Sequence, residues 1–562
     1  MTRANRPWMR GASWRELWPV LTADQLTRIT AYGTPHDLAA GDIVWSAGSP
    51  TAGLVVVESG TVDVVRDPIR DLPEEPVVTH GPGRFAGEFS LFTGQTRFVS
   101  ARMTDAGRIH RIPLGRFRDL MADDPEIGDI VLRALLGRRR LLQHTAAARS
   151  IEITGHENSA ACLALRVYAE RQMLPHLFID AASAEGQALA GHYRLKPPDL
   201  PSVIVLGDPL PRATPGGLAE RIGLSLQPAD GTADLAIVGG GPGGLAAAVY
   251  GASEGLSTVL LDGVGVGGQA AASSRIENYL GFPFGLSGGD LTDLGHIQAL
   301  KFGARIASPC RVTGLHPGRE EITLTVSDGA TVRARAVILA TGAAYRRLPI
   351  ERWEDFEGSG IYFAATELEA RTCEGQPVTV IGGANSAGQA ALFLAGRGNH
   401  VTLAVRSPDL GSEMSAYLVD RLRAHSGVTI RVATEVTAVD GDTSLRQVTL
   451  RHRENGQAAD QPCHGLFCFI GADPMTSWLT EVALDGDGFI RTGTDLGPGE
   501  LGPAWHALAR QPLPFETTIP RVFAVGDVRH DSMKRIAAAA GEGASAVRSV
   551  HAALALPQAA TT

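Results

Sequence analysis

Between residues 41 and 113 short apolar runs alternate with glycine turns. Leu54-Val-Val-Val57 and Thr61-Val-Asp-Val-Val65 flank Ser59-Gly60, the pattern of a β-hairpin. The period then changes. Apolar residues fall at 127, 130, 131, 134, 135, 141 and 142, which predicts a helix over 127–143. Strands follow at 150–155, 177–180 and 200–205, with helices at 158–173 and 216–222, and 225–232 reads as a linker.

Beyond the linker one pattern occurs twice. In Ala236-Ile-Val-Gly-Gly-Gly-Pro-Gly-Gly-Leu245 an apolar strand runs into a GxGxxG turn and then into an Ala-rich helix. Gly239 permits the tight turn, Gly241 lets the backbone approach a pyrophosphate, and Gly244 lets helix and strand pack closely. The next strand ends in Asp262, at the spacing expected for a ribose contact. Pro377-Val-Thr-Val-Ile-Gly-Gly-Ala-Asn-Ser-Ala387 repeats the arrangement, with Ala384 where the second glycine is expected. The strand after it ends in Val405-Arg406. A guanidinium attracts a 2′-phosphate where a carboxylate repels it, so NADPH is favoured, with NADH still possible, at Gly382, Gly383, Asn385, Ser386, Ala387 and Arg406.

The chain has 562 residues, enough for roughly three or four domains. A net charge of -9 with no dominant basic face argues against nucleic-acid binding. Five scattered cysteines, none in a CxxC pair, and no apolar leader at the N-terminus point to a reducing, cytoplasmic setting. The uncharged run 235–253 carries too many glycines and a proline for a membrane span, and no metal-ligating cluster is expected.

Three resemblances give these segments a meaning. Residues 15–145, with Gly87-Glu88 and Arg97 ahead of the long helix, resemble a cyclic-nucleotide-binding domain. The resemblance implies a ribose 2′-hydroxyl on Glu88 and the cyclic phosphate on Arg97. Phe98 follows where that family places a small residue, and a bulky ring there can fill the pocket. The segment after it resembles a thioredoxin or glutaredoxin domain, with Pro201 as its cis-proline, but His156-Glu-Asn-Ser159 stands where that family carries its dithiol.

Gly267-Gly-Gln269, Ala336-Val-Ile-Leu-Ala-Thr-Gly342, Val525-Gly-Asp527 and Ala540-Gly-Glu-Gly543, in order behind the first GxGxxG, resemble the thioredoxin-reductase branch of the two-dinucleotide flavoproteins over about 232–555. The resemblance implies FAD held by Gly239, Gly241, Gly244, Asp262, Gly268, Gln269, Asn278, Thr341, Gly342, Gly526, Asp527, Arg535 and Ile536. It implies a homodimer as well. Where that branch carries further arginines beside the 2′-phosphate, this chain has Ser407 and Gly411. Where it carries CxxC, this chain reads Ala364-Ala-Thr-Glu367.

The expected architecture is multidomain α/β: a β-roll with helix at 1–147, a thioredoxin-like domain without dithiol at 148–228, an FAD domain at 229–344 and 471–562, and an NAD(P) domain at 345–470. The expected activity is a FAD-dependent NAD(P)H oxidoreductase, not a true thioredoxin reductase. It passes hydride from NADPH to FAD and then to a non-disulfide acceptor, whether quinone, redox protein or O₂, under modulation by the N-terminal domain. Glu367 stands at the inner-cysteine position as a candidate proton relay, and hinges are expected near Ala343 and Gly471. The alternative is a flavin-binding sensor with little turnover.

Overall fold

The computed structural model describes residues 14–87, 90–142, 146–157, 159–225, 231–273, 276, 278–365, 367–508 and 510–555. The N-terminal unit is a roll of two four-stranded sheets followed by the helices Leu114–Asp123 and Pro125–Leu142. The expected hairpin is not formed. Leu54–Val57 pairs with Gly107–Ile112 and Phe85–Ala86 in one sheet, whereas Thr61–Arg66 pairs with Ser100–Asp105 and Glu75–His80 in the other. All four residues of Leu54–Val57 are buried, so the strand lies inside the roll instead of turning back with one face to solvent. The change of sheet is made where Gly60, at φ +79°, presses against the carbonyl oxygens of Asp105 and Ala106, which leave no room for a side chain.

The next unit is a four-stranded sheet in the order Leu177–Asp180, Ile151–Gly155, Ser202–Val205, Asp208–Leu210. The first pair is parallel and the others antiparallel, and Leu200–Pro201 is cis. The helix Ala184–Tyr193, capped by the Ser183 hydroxyl, and the strand Asp208–Leu210 belong to it although no apolar period announced either. Its helix Ala160–Arg171, hereafter the linking helix, contributes Leu165, Tyr168 and Ala169 to a core that also takes in Phe98. The Phe98 ring therefore does not fill the roll's pocket. It leaves the roll and is buried among Ile151, Tyr168 and Leu218 of the neighbouring unit, where apolar side chains take it out of water. Thr96 N–H donates to Ile222 C=O at 3.0 Å beside it.

Two Rossmann bodies complete the chain. In the first, the parallel strands Arg305–Ala307, Thr258–Leu261, Ala233–Val238, Thr331–Leu339 and Val522–Ala524 are extended by an antiparallel pair, Ile322–Val326 and Val312–Pro317. One apolar cluster packs on each face. The helices Pro242–Ser253 and Ile536–Ala555 cross where a Cβ on Gly543 would collide with Gly243 C=O and one on Gly243 would sit 3.1 Å from Ala539 C=O. Gly543 admits no side chain at that approach, and at Gly243 one would fit only with a shift of the opposing backbone.

The second body has five parallel strands, in the order Ile361–Tyr362, Gly465–Cys468, Pro377–Ile381, His400–Ala404, Val428–Arg431, and a three-stranded antiparallel meander. The two crossings between the bodies lie side by side as a two-stranded ribbon, with Ala343 opposite Pro474 and Tyr345 opposite Ala472.

Candidate dinucleotide sites

The first GxGxxG turn is shaped by backbone contacts. Gly239 adopts φ +107° against Ala340 C=O, and a Cβ on Gly244 would collide with Gly239 C=O. Outside the turn a Cβ on Gly241 would meet only Gly268 Cα at 4.0 Å, so this side is open backbone. The helix beginning at Pro242 presents first-turn amides without intrahelical acceptors, and with the macrodipole they suit an anionic pyrophosphate. The strands ending at Val238, Leu261, Leu339 and Ala524 all deliver their loops to this same sheet end, where an open α/β sheet binds its ligand. This cradle of bare glycine backbone fits a dinucleotide.

Asp262 has a local task as well. Its Oδ2 accepts from Gly240 N–H at 2.7 Å and its Oδ1 from the N–H groups of Val264 and Gly265 at 2.9 and 2.8 Å. Gly267 N–H donates to Gly240 C=O at 2.7 Å, which folds the loop 262–268 over the turn. Gln269 lies beside Gly268 and donates its Nε2 to Ala343 C=O at 2.6 Å, fastening the loop to the ribbon. Thr341 Oγ1 donates to Met475 C=O and Met475 N–H returns to Gly342 C=O, so both residues sit where the chain leaves the first body. Asn278 is exposed.

At the other edge Gly526, φ +71°, donates its N–H to Glu542 Oε2 at 2.7 Å. Glu542 also accepts from Arg529 Nη2 at 2.8 Å and Ser532 Oγ at 2.9 Å, and so holds the 526–532 turn on the last helix. Sequence reasoning passed over this carboxylate. The signal was present, an acid set among alanines and glycines in Ala540-Gly-Glu-Gly543. Burial lifts the Asp527 carboxyl above its usual range, opposed by Lys534. Ile536 opens the last helix half-buried, and Arg535 just before it is exposed.

In the second body Gly382 adopts φ +140° against Phe469 C=O. Ala384 occupies the N-cap in extended conformation, exposed, so its methyl is accommodated without strain. Ala387 is buried beneath the turn, and Gly383 and Ser386 lie along it. Asn385 Oδ1 accepts from Ser415 N–H and Oγ at 2.8 and 2.9 Å. The Arg406 side chain is exposed just past the neighbouring strand.

Two regions sit apart from the Rossmann turns. Arg97 is buried with its guanidinium 4.8 Å from the Trp45 ring centre, while Glu88 lies outside the described residues. Glu367 opens the helix Glu367–Thr372, and its side chain lies outside the description. All five cysteines are buried, and burial raises every thiol: Cys310 and Cys463 to about 11, Cys373 to about 12, Cys162 and Cys468 also upward. Thiols so raised are protonated at neutral pH and are poor nucleophiles.

Two nucleotide-sized Rossmann turns, one body inserted into the other, define a two-dinucleotide oxidoreductase. The chain matches the pyridine nucleotide-disulphide oxidoreductase family over residues 233–543, and a cyclic nucleotide-binding domain over 35–124. It is 32% identical to the thioredoxin reductase of Mycolicibacterium smegmatis, over 56% of this chain and 94% of that one. The thioredoxin reductase of Treponema pallidum is 30% identical, over 56% of this chain and 94% of that protein. The crystal structure of T. acidophilum thioredoxin reductase superposes with a TM-score of 0.50 at 27% identity, covering 57% of this chain and 98% of that one. The chain belongs to the pyridine nucleotide-disulphide oxidoreductase family, in its thioredoxin-reductase-like branch, behind an N-terminal cyclic nucleotide-binding domain. It is an NAD(P)H/FAD oxidoreductase, and the cofactors of this branch are FAD and NADPH. Among the described residues no helix is long and apolar enough to cross a membrane.

Proposed function

We propose that this protein oxidises NADPH and reduces an acceptor other than a disulfide. The observation that carries this reading is the state of the cysteines: none lies in the Ala364–Glu367 segment, and every thiol is buried and raised away from the thiolate that disulfide exchange requires. When bound, FAD supplies the hydride acceptor and the electron store between NADPH and that acceptor.

The protein's own residues bind and orient. Gly239, Gly241 and Gly244 shape the pyrophosphate seat, while Asp262 closes the loop above it and keeps one lone pair, on Oδ2, for a ribose hydroxyl. Gly526 and Asp527 line the opposite edge, braced by Glu542. Gly382–Ala387 and Arg406 seat the nicotinamide nucleotide, with the guanidinium serving the 2′-phosphate. The ribbon at 343–345 and 472–474 is where the second body turns between the two half-reactions, and Glu367, at the inner-cysteine position, is the proton relay. A quinone, a redox protein and O₂ are the acceptor classes consistent with a site without thiols. The scattered free thiols suit a reducing compartment.

A second reading, a flavin-binding sensor with negligible turnover, is favoured by the burial of Phe98 in the unit next to the roll, which ties the nucleotide cassette to the rest of the chain. Anaerobic stopped-flow mixing with NADPH separates the two. Rapid bleaching of the flavin band, followed by reoxidation with a quinone or O₂, supports the oxidoreductase. Bound FAD that NADPH does not bleach rejects it in favour of the sensor.

A further inference from the structure

The loop 262–268 is fastened from below by Asp262 and Gly240. It is also held from above by a residue of a different unit. Arg171, at the C-terminal end of the linking helix, donates Nη1 to Gly265 C=O at 3.1 Å and Nη2 to Gly268 C=O at 3.4 Å. Its aliphatic stem lies on the bare backbone of Gly265, where a Cβ would come within 2.9 Å of Arg171 Cδ. The glycine thus makes room for the arginine. The helix end is itself anchored, because Arg139 of the N-terminal unit donates to the carbonyls of Gln172 and Met173. One turn earlier Tyr168 Oη donates to Ser308 C=O at 3.1 Å, a second contact with the first body that does not involve the loop.

We infer that Arg171 is a positioning residue for FAD, supplied by the linking unit to a site otherwise built within the first Rossmann body. This rests on the reading that FAD occupies the first GxGxxG turn. A guanidinium bridging two carbonyls fixes their peptide planes, and so keeps Gly268 against Gly241 beside the pyrophosphate seat. This effect does not require Arg171 to touch the cofactor. The unit without a dithiol thereby has a task in the flavin site.

The test uses the full chain stripped of FAD and reconstituted. R171A is expected to bind FAD at least about tenfold more weakly, the scale of one charge-assisted contact. In the FAD-free protein its amides at 265–268 are expected to exchange faster. R171K, which keeps one donor, recovers part of the affinity. Y168F removes the neighbouring tie to the first body and leaves FAD affinity within about twofold. Wild-type affinity and unchanged loop exchange in R171A overturn the inference. So does Y168F weakening FAD as much as R171A, since helix docking in general would then be the cause. Failure of the wild-type chain itself to take up FAD overturns the underlying reading instead.

Discussion

Replacing Gly543 by alanine tests the helix crossing beneath the first turn, and Gly541 supplies a matched control two residues away. Both glycines lie inside the helix Ile536–Ala555, where alanine gains about 0.5–1 kcal/mol of helix propensity over glycine. A Cβ on Gly541 meets nothing within 4 Å. On Gly543 it collides with Gly243 C=O and lies 2.9 Å from Gly243 C and 3.2 Å from Ala247 N, all backbone of the opposing helix. No rotamer change relieves that contact, so the helices separate, at an overpacking cost of about 1–3 kcal/mol. The propensity gain is common to both variants and cancels in their difference. G541A is therefore expected to stabilise by about 0.5–1 kcal/mol, and G543A to fall about 1–3 kcal/mol below it. At about 2–4 °C per kcal/mol for a body of this size, that separates their melting temperatures by roughly 2–12 °C in thermal scans of the full chain. Separating the helices also draws Glu542 from Gly526 N–H, so FAD affinity falls in G543A alone. A G543A protein that melts at or above G541A refutes the argument.

Other outcomes follow from the same geometry. R406A is expected to lower the ratio of kcat/KM for NADPH over NADH by about ten- to a hundredfold, the worth of a hydrogen bond to a charged group, and an unchanged ratio removes Arg406 from the 2′-phosphate. His80 and His296 are buried and their pKa values are pushed down to about 3, by burial first and neighbouring arginines second. Both stay neutral in the folded chain while the unfolded imidazoles take up protons near pH 6.5, so stability is retained above that pH and lost as pH falls toward 3. At pH 4.5 the two together cost about 5 kcal/mol, read as a falling melting temperature between pH 7 and 4.5; a flat profile contradicts their burial. F98A opens a cavity in the core of the linking unit and is expected to cost about 3–5 kcal/mol, measured as earlier proteolysis and melting of the N-terminal half.

The glycine turns were legible because they express backbone demands: positive φ at Gly239 and Gly382, and contact with a carbonyl at Gly244, admit one residue type. Asp262 was legible by spacing, though its bonds to Gly240, Val264 and Gly265 were not. The false hairpin shows the limit of local pattern. Ser59-Gly60 turns the chain equally well into the same sheet or another, and burial of both faces of Leu54–Val57 decided between them. Phe98 read as a bulky apolar residue with a place to fill, and composition does not say in which unit. Arg171 and Glu542 are ordinary charges until the fold brings carbonyls and amides to them.

The ribbon at Ala343–Tyr345 and Ala472–Pro474 has a consequence for how the chain is assembled. Entry and exit of the second Rossmann body are neighbours on paired strands, so its two ends stand about 5 Å apart. In construction it is a guest housed in one loop of its host. Excising residues 346–471 leaves a gap that a short turn can close, and the host sheet, whose strands all come from 233–339 and 522–524, keeps every pairing.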